Sequence, residues 1–315
     1  MKFLKQFIVP LILIMFAYGT MQAQARRTSW RRIVHQNESD WFSSKEAKDI
    51  AENVLLYQRD IGGWPKNIQI QEPLSDKEKQ SLLQLKSSTK EVTTDNGATI
   101  QEMVFLSKMY SHIPDEKYKK AFLSGLNYIL DAQYDNGGWP QFYPLKEGYY
   151  THITYNDDSM VNIMNLLQNL KDNTGNIAIK PSKEIIKKIE IAFNKGVDCI
   201  LKTQYKQNGV LSSWCAQHDE NTLQPAKARS YELPSLSGSE SAKIVLLLMS
   251  LENPSEDVKK AIEDSNTILL DTRTLSEFIG EKQKKGAFRA GRIPTSILND
   301  WTNCIHYNEG KKLKS

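Results

Sequence analysis

The chain has 315 residues, a quarter of them charged, with 41 Lys and Arg against 37 Asp and Glu for a net charge of +4 at pH 7. So mild a balance, without a long basic run, excludes the footprint of a nucleic-acid binder and leaves room only for a small anionic ligand. Three cysteines, Cys199, Cys215 and Cys304, make no disulfide framework, and they form no Cys/His metal pattern with the five histidines.

The first 25 residues, MKFLKQFIVPLILIMFAYGTMQAQA, carry a charged start (Lys2, Lys5), an apolar run from Phe7 to Tyr18 and a small-residue end at Ala23 and Ala25. That order predicts a signal peptide over 1–25 and a secreted or periplasmic protein, since the apolar run is too short to span a bilayer comfortably. Beyond it, apolar residues recur at helical spacing in segment after segment. Helices are expected over Ser44 to Tyr57 (Ala47, Ile50, Ala51, Val54 and Leu55 on one face), Gly97 to Tyr110, Glu116 to Gln133 and Asp157 to Leu170. Three more follow, over Ser182 to Gln204, Ser239 to Leu251 and Ser255 to Leu269. Alternating strand patterns are scarce and no linker composition intervenes, so the expectation is an all-α single domain over 26–315. Nothing in it calls for an obligate protein partner or for membrane insertion.

A loose repeat runs through the helix ends. Tyr57 to Asn67 reads YQRDIGGWPKN, and Ala132 to Gln141 reads AQYDNGGWPQ, with Trp139 standing 75 positions after Trp64. Thr203 to Gly209, followed by Trp214, is a worn third copy. Each copy leaves a helix through a glycine turn, the usual left-handed exit. Paired helices with repeated Gly-Gly-Trp-Pro ends suggest a toroid whose long functional loops share one face. Trp64 and Trp139 then admit two roles: an aromatic floor for sugar rings, or plugs at the ends of helix pairs.

Four stretches carry candidate chemistry. Thr93 to Thr99 (TTDNGAT) and Tyr155 to Met160 (YNDDSM) both place Asp and Asn at a helix start, where they serve as caps. Together Asp95, Asp157 and Asp158 also offer three carboxylates, enough oxygen for a hard cation such as Ca²⁺ once substrate and water complete its shell. Pro225 to Ser241 holds Arg229 beside Tyr231, with Glu232 as its obvious ion-pair partner. Lys66 and Asn67, after the first Trp-Pro, suit an anion or a hydroxyl. No serine–histidine–acid arrangement and no phosphate or dinucleotide loop is present. Composition and spacing name no reaction.

At these same residues the sequence resembles a pectate lyase of polysaccharide lyase family 10. The resemblance runs from about Trp41 to Phe288 and is carried by AENVLLYQRDIGGWPKN, TTDNGATIQEMVFL, QYDNGGWPQFYPL, ITYNDDSMVNIM and ARSYELPSLSGSES. It implies an (α/α) toroid-like barrel of paired helices and Ca²⁺-dependent β-elimination of polygalacturonate (pectin) to 4,5-unsaturated oligogalacturonides. By the same resemblance Arg229 matches the catalytic base. Asp95 and an acid of YNDD, either Asp157 or Asp158, match the calcium and active-site acids, the other acid supporting that ligand or capping the helix start. Lys66, Asn96, Trp64, Trp139, Tyr231 and Arg289 are the candidate substrate-binding residues. The ending departs from the family: its Trp-Ala-Arg-Phe-Tyr stretch and later Arg-Asp-Gly give way to AGRIPTSILNDWTNCIHYNEGKKLKS, in which Arg289 and Arg292 are the replacements on offer. Two alternatives stand beside the lyase: a pectin-binding homologue weakened at its tail, and a glycoside hydrolase on a helical toroid that would pair Asp95 with another carboxylate.

Overall fold

The structure is a computed structural model that describes residues 29–265 and, beyond them, short backbone strands at 270–271, 297–298, 305–308 and 311–314. The leader expected over 1–25, the altered ending and the side chain of Arg289 lie outside the described residues. The chain clusters into two compact units, residues 1–196 and 197–315.

In the first unit the expected helices form, and the described residues are helical with only two-residue strands before position 266. Helix Lys45–Tyr57 opens on Ser44, whose hydroxyl accepts the Ala47 N–H at 3.1 Å, and it buries Ala47, Ile50, Ala51 and Val54 as the pattern requires. Leu55 is only half-buried; Asn53 takes the interior place, donating to the Ile70 and Glu72 carbonyls at 3.1 and 3.0 Å. Helices Ile100–His112 and Glu116–Asp131 pack as an antiparallel pair, with Lys45–Tyr57 against the first of them. Helices Trp30–Val34, Ser39–Phe42 and Asp76–Gln84 stand where periodicity predicts none. The last buries only Leu82, so it has no apolar stripe to read; its signature is the reciprocal cap between Ser75 and Glu78.

The repeat is a fastening device. Trp64 and Trp139 are 0 % and 1 % exposed, and their indole N–H groups donate to Val54 and Ile129 carbonyls, ten residues back, at 2.7 and 2.8 Å. Gln58 Nε2 bridges the Gly62 carbonyl (2.7 Å) and the Ala121 carbonyl (2.8 Å); Gln133 does the same for Gly137 (3.0 Å) and Ala192 (2.8 Å). The turns need glycine because φ is positive at Gly62 (108°) and Gly137 (94°), and a Cβ there would meet the Ser124 and Lys195 carbonyl oxygens at 2.3 and 1.9 Å. These facts correct the expectation of a sugar-stacking floor. Indoles sealed in the core with their one donor spent on a helix carbonyl are plugs, and Trp64 and Trp139 present no face to a ligand.

The second unit repeats the device in altered form. Helix Lys183–Thr203 crosses the division, and Gln204 Nε2 bridges the Ser212 and Ala261 carbonyls at 2.8 and 2.9 Å. In place of a Gly-Gly turn there is a hairpin, Lys206–Gln207 antiparallel to Val210–Leu211, closed by Asn208 (φ 51°) and Gly209 (φ 87°). That insertion moves Trp214 fourteen residues from its acceptor, the Ile200 carbonyl at 2.8 Å, and explains why the third copy looks worn. Helices Gly238–Met249 and Glu256–Asp264 pack together, and Cys199 and Cys215 are buried thiols outside any disulfide. Among the described residues no helix is long and apolar enough to cross a membrane.

Candidate active site

Two helix-start turns of the first unit pack on each other. Asp95–Gly97 precedes helix Ile100–His112, and Asn156–Asp158 precedes helix Ser159–Lys171. Their second residues, Asn96 and Asp157, both have φ 53°, and Asp158 follows at φ 61°. Asn and Asp are the side chains that tolerate this left-handed backbone, so conformation asks for these residue types before chemistry does. The Thr94 and Ser159 hydroxyls lie 3.0 Å apart between the turns. Asp158 occupies the cap position of Ser159–Lys171 with no side-chain cap bond. Of the pair, Asp158 therefore holds the cap position through its backbone and not through a hydrogen bond from its carboxylate. Asp157 accepts from Asn156 Nδ2 at 2.7 Å.

Asp95 is 1 % exposed. One of its oxygens, Oδ2, accepts from Lys66 Nζ and from Gln141 Nε2, the latter at 2.7 Å. The other, Oδ1, is buried without a hydrogen-bond donor among the described residues. Lys66 and Gln141 follow the Trp-Pro of the first and second repeats, so two copies of one motif converge on one carboxylate. Gln141 was missed from sequence; its equivalence to Lys66 in the repeat is the signal that finds it. Two ammonium groups lie over the Phe142 ring, Lys66 at 5.4 Å and Lys146 at 4.9 Å from its centroid. Asn96 Nδ2 donates to Asn67 Oδ1 at 2.9 Å.

Asn67, Asn96, Asp157 and Asp158 line one cleft of about 640 Å³. These four offer carboxylate and amide oxygens, the ligand type of a hard cation, and the cleft holds one imidazole, His35, and no thiolate. Asp157 and Asp158 are the carboxylates of this cleft that could hold such an ion; Asp95 does not line it, and the three expected acids do not bring their oxygens within ligating reach of one another.

In the second unit Arg229 is 59 % exposed in its side chain and grips Glu232 through both arms of its fork, Nε to Oε2 at 2.8 Å and Nη2 to Oε1 at 2.7 Å. The Arg229 backbone N–H also reaches Glu232, at 3.1 Å, and these hydrogen bonds hold the Glu232 carboxyl below the usual range. Tyr231 is 73 % exposed, its ring 5.5 Å from the guanidinium carbon.

The family model of pectic acid lyases matches residues 58–299. No curated protein matches. Among solved structures, the family 10 polysaccharide lyase from Cellvibrio cellulosa is 36 % identical, with a TM-score of 0.60 over 72 % of this chain and 68 % of its own. A mutant of the family 10 lyase from that organism, in complex with trigalacturonic acid, is 35 % identical, with a TM-score of 0.60 over 72 % and 69 %. These matches set aside the glycoside hydrolase. With residues 58–299 inside the family model and helices throughout its described length, the chain belongs to the pectic acid lyase family and is a polysaccharide lyase of (α/α) toroid fold.

Proposed function

We propose that this protein is a secreted, Ca²⁺-dependent lyase that cleaves polygalacturonate by β-elimination. The trigalacturonic acid complex of the 35 % identical lyase carries this reading for the substrate, and the oxygen-lined cleft supports it for the cation. Elimination removes the C5 proton of a galacturonate, forms the C4–C5 double bond and expels O4, which leaves protonated as the hydroxyl of the departing chain. In this reading Asp157 and Asp158 would hold Ca²⁺ in the cleft, and Asp95 is the active-site acid that the family resemblance implies. When bound, Ca²⁺ supplies Lewis-acid charge that lowers the energy of the negative charge building beside C5. Lys66 and Gln141 fix the Asp95 carboxylate, and Asn96 and Asn67 offer amide groups to sugar hydroxyls.

Arg229 is the base by the family resemblance. Its guanidinium gives up its proton only far above neutral pH, and the Glu232 carboxylate that it grips favours the charged form in the state observed. The Glu232 pair therefore opens before Arg229 takes a proton, and alkaline pH favours turnover. The leader at 1–25 underlies the secreted location.

The test is ultraviolet absorbance of the unsaturated product when purified protein meets polygalacturonate, with Ca²⁺ and with chelator. Absorbance that rises with Ca²⁺ and stops with chelator, and that is lost in Arg229→Ala and Arg229→Lys, is the expected result. Undiminished cleavage under chelator would remove Ca²⁺ from the reading, and active Arg229 variants would remove the base. A protein that binds polygalacturonate and releases nothing is the weakened homologue instead.

A further inference from the structure

Helix Trp30–Val34 stands before the segment that the family model matches, yet it walls the cleft that holds Asn67, Asn96, Asp157 and Asp158. Its attachment is built from buried and part-buried polar groups. Trp30 Nε1 donates to Glu102 Oε1 at 2.7 Å in the interior, and the Trp30 backbone N–H donates to Gln69 Oε1 at 3.1 Å. At the other end Lys108 Nζ donates to the Val34 and Gln36 carbonyls at 2.8 and 3.0 Å. The indole packs 5.3 Å from the Phe105 ring. A carboxyl and an ammonium committed below one short helix hold it in a single register, which apolar contact alone does not.

The register decides what the cleft sees. Trp30, Ile33 and Val34 are buried, Trp30 and Val34 forming part of the cleft's wall, and Arg31 and His35, four apart and on one face, are the exposed residues of this helix end that line it. Arg32, equally exposed, does not line it. Arg31 has no ion pair with any described residue. The named acids of the cleft repel a polyanion, and a guanidinium lining the same cleft is the group that binds a uronate carboxylate through two hydrogen bonds. We propose that Arg31 is a carboxylate-binding subsite for the polyuronide chain, supplied by a segment outside the matched family region. The proposal rests on the lyase reading above and takes over the gripping role that the sequence leaves to its ending.

The experiment compares wild type with Arg31→Ala, Arg31→Lys and Arg32→Ala on polygalacturonate, measuring kcat and KM by product absorbance and affinity by calorimetry with a chelator present. Removing one charge-assisted carboxylate contact at a partly exposed site raises KM about tenfold and weakens affinity to match, with kcat within about twofold. Arg31→Lys recovers part of the loss and Arg32→Ala changes neither constant. Equal losses in Arg31→Ala and Arg32→Ala would reduce the effect to net charge and overturn the subsite. An Arg31→Ala enzyme with wild-type KM and affinity would overturn it while leaving the lyase intact; a wild type that neither cleaves nor binds polygalacturonate would overturn both readings together.

Discussion

Glu102 lies under helix Trp30–Val34 at 2 % exposure, with one oxygen taken by the Trp30 indole and the other, Oε2, without a donor among the described residues. Loss of water around it raises the carboxyl from 4.5 to about 7, against the smaller opposing pull of its hydrogen bonds. Because the folded value is raised, the stabilising contribution is whole below pH 4.5 and is lost as pH climbs through 7. At about 1.4 kcal/mol per pH unit, the window is worth about 3 kcal/mol. Glu102→Gln keeps an oxygen for Trp30 and removes the ionisation. Its amide N–H₂ adds an offset that does not depend on pH. The stability of the variant relative to wild type should therefore rise by about 3 kcal/mol between pH 4.5 and pH 8, whatever its sign at the acid end. Urea denaturation of both proteins at several pH values measures it. Parallel profiles would refute the argument, since a carboxyl that stays hydrated or keeps its ordinary pKa has no such slope.

His218 should show the opposite slope: burial lowers it from 6.5 to about 4, so its contribution is present above pH 6.5 and lost toward pH 4, and His218→Gln should flatten acid denaturation in that window. Trp139→Ala should cost about 3–5 kcal/mol in urea unfolding while the folded fraction keeps its affinity for oligogalacturonides, because the indole is a plug. Gly137→Ala should cost more than about 2 kcal/mol by the same assay, its Cβ having to clear the Lys195 carbonyl at 1.9 Å from a φ of 94°. Glu232→Gln should shift the pH–rate profile toward acid, since Arg229 loses the carboxylate that holds its proton; an unmoved profile would separate the pair from turnover.

Helices with a continuous apolar face could be read in advance, since burial of that face is what makes them. Asp76–Gln84 could not, because it buries Leu82 alone and is held by its cap. The indoles were ambiguous for a physical reason: a tryptophan after a glycine turn suits a sugar or a core equally, and only the carbonyl waiting ten residues back decides. Of the candidate site, the acids were legible as residues at helix starts; the left-handed backbone of their turns was not. The convergence of Lys66 and Gln141 on Asp95 was not, because nothing local says that two repeats meet at one carboxylate. Asn53, buried through two carbonyls, was hidden by its polarity.

The glutamine bridges have a consequence for how the protein comes apart. Gln58, Gln133 and Gln204 each tie a turn to a helix carbonyl 63, 59 and 57 residues further along the chain. Each link joins a repeat to its successor, so disorder that begins in one is passed to an adjacent one first. Couplings of that range behave like a row of dominoes rather than a keystone arch, and unfolding should advance as a front. A lost bridge would then set free a contiguous stretch bounded by the next intact glutamine, and hydrogen exchange in Gln133→Ala would display it as a block of amides with a common opening rate.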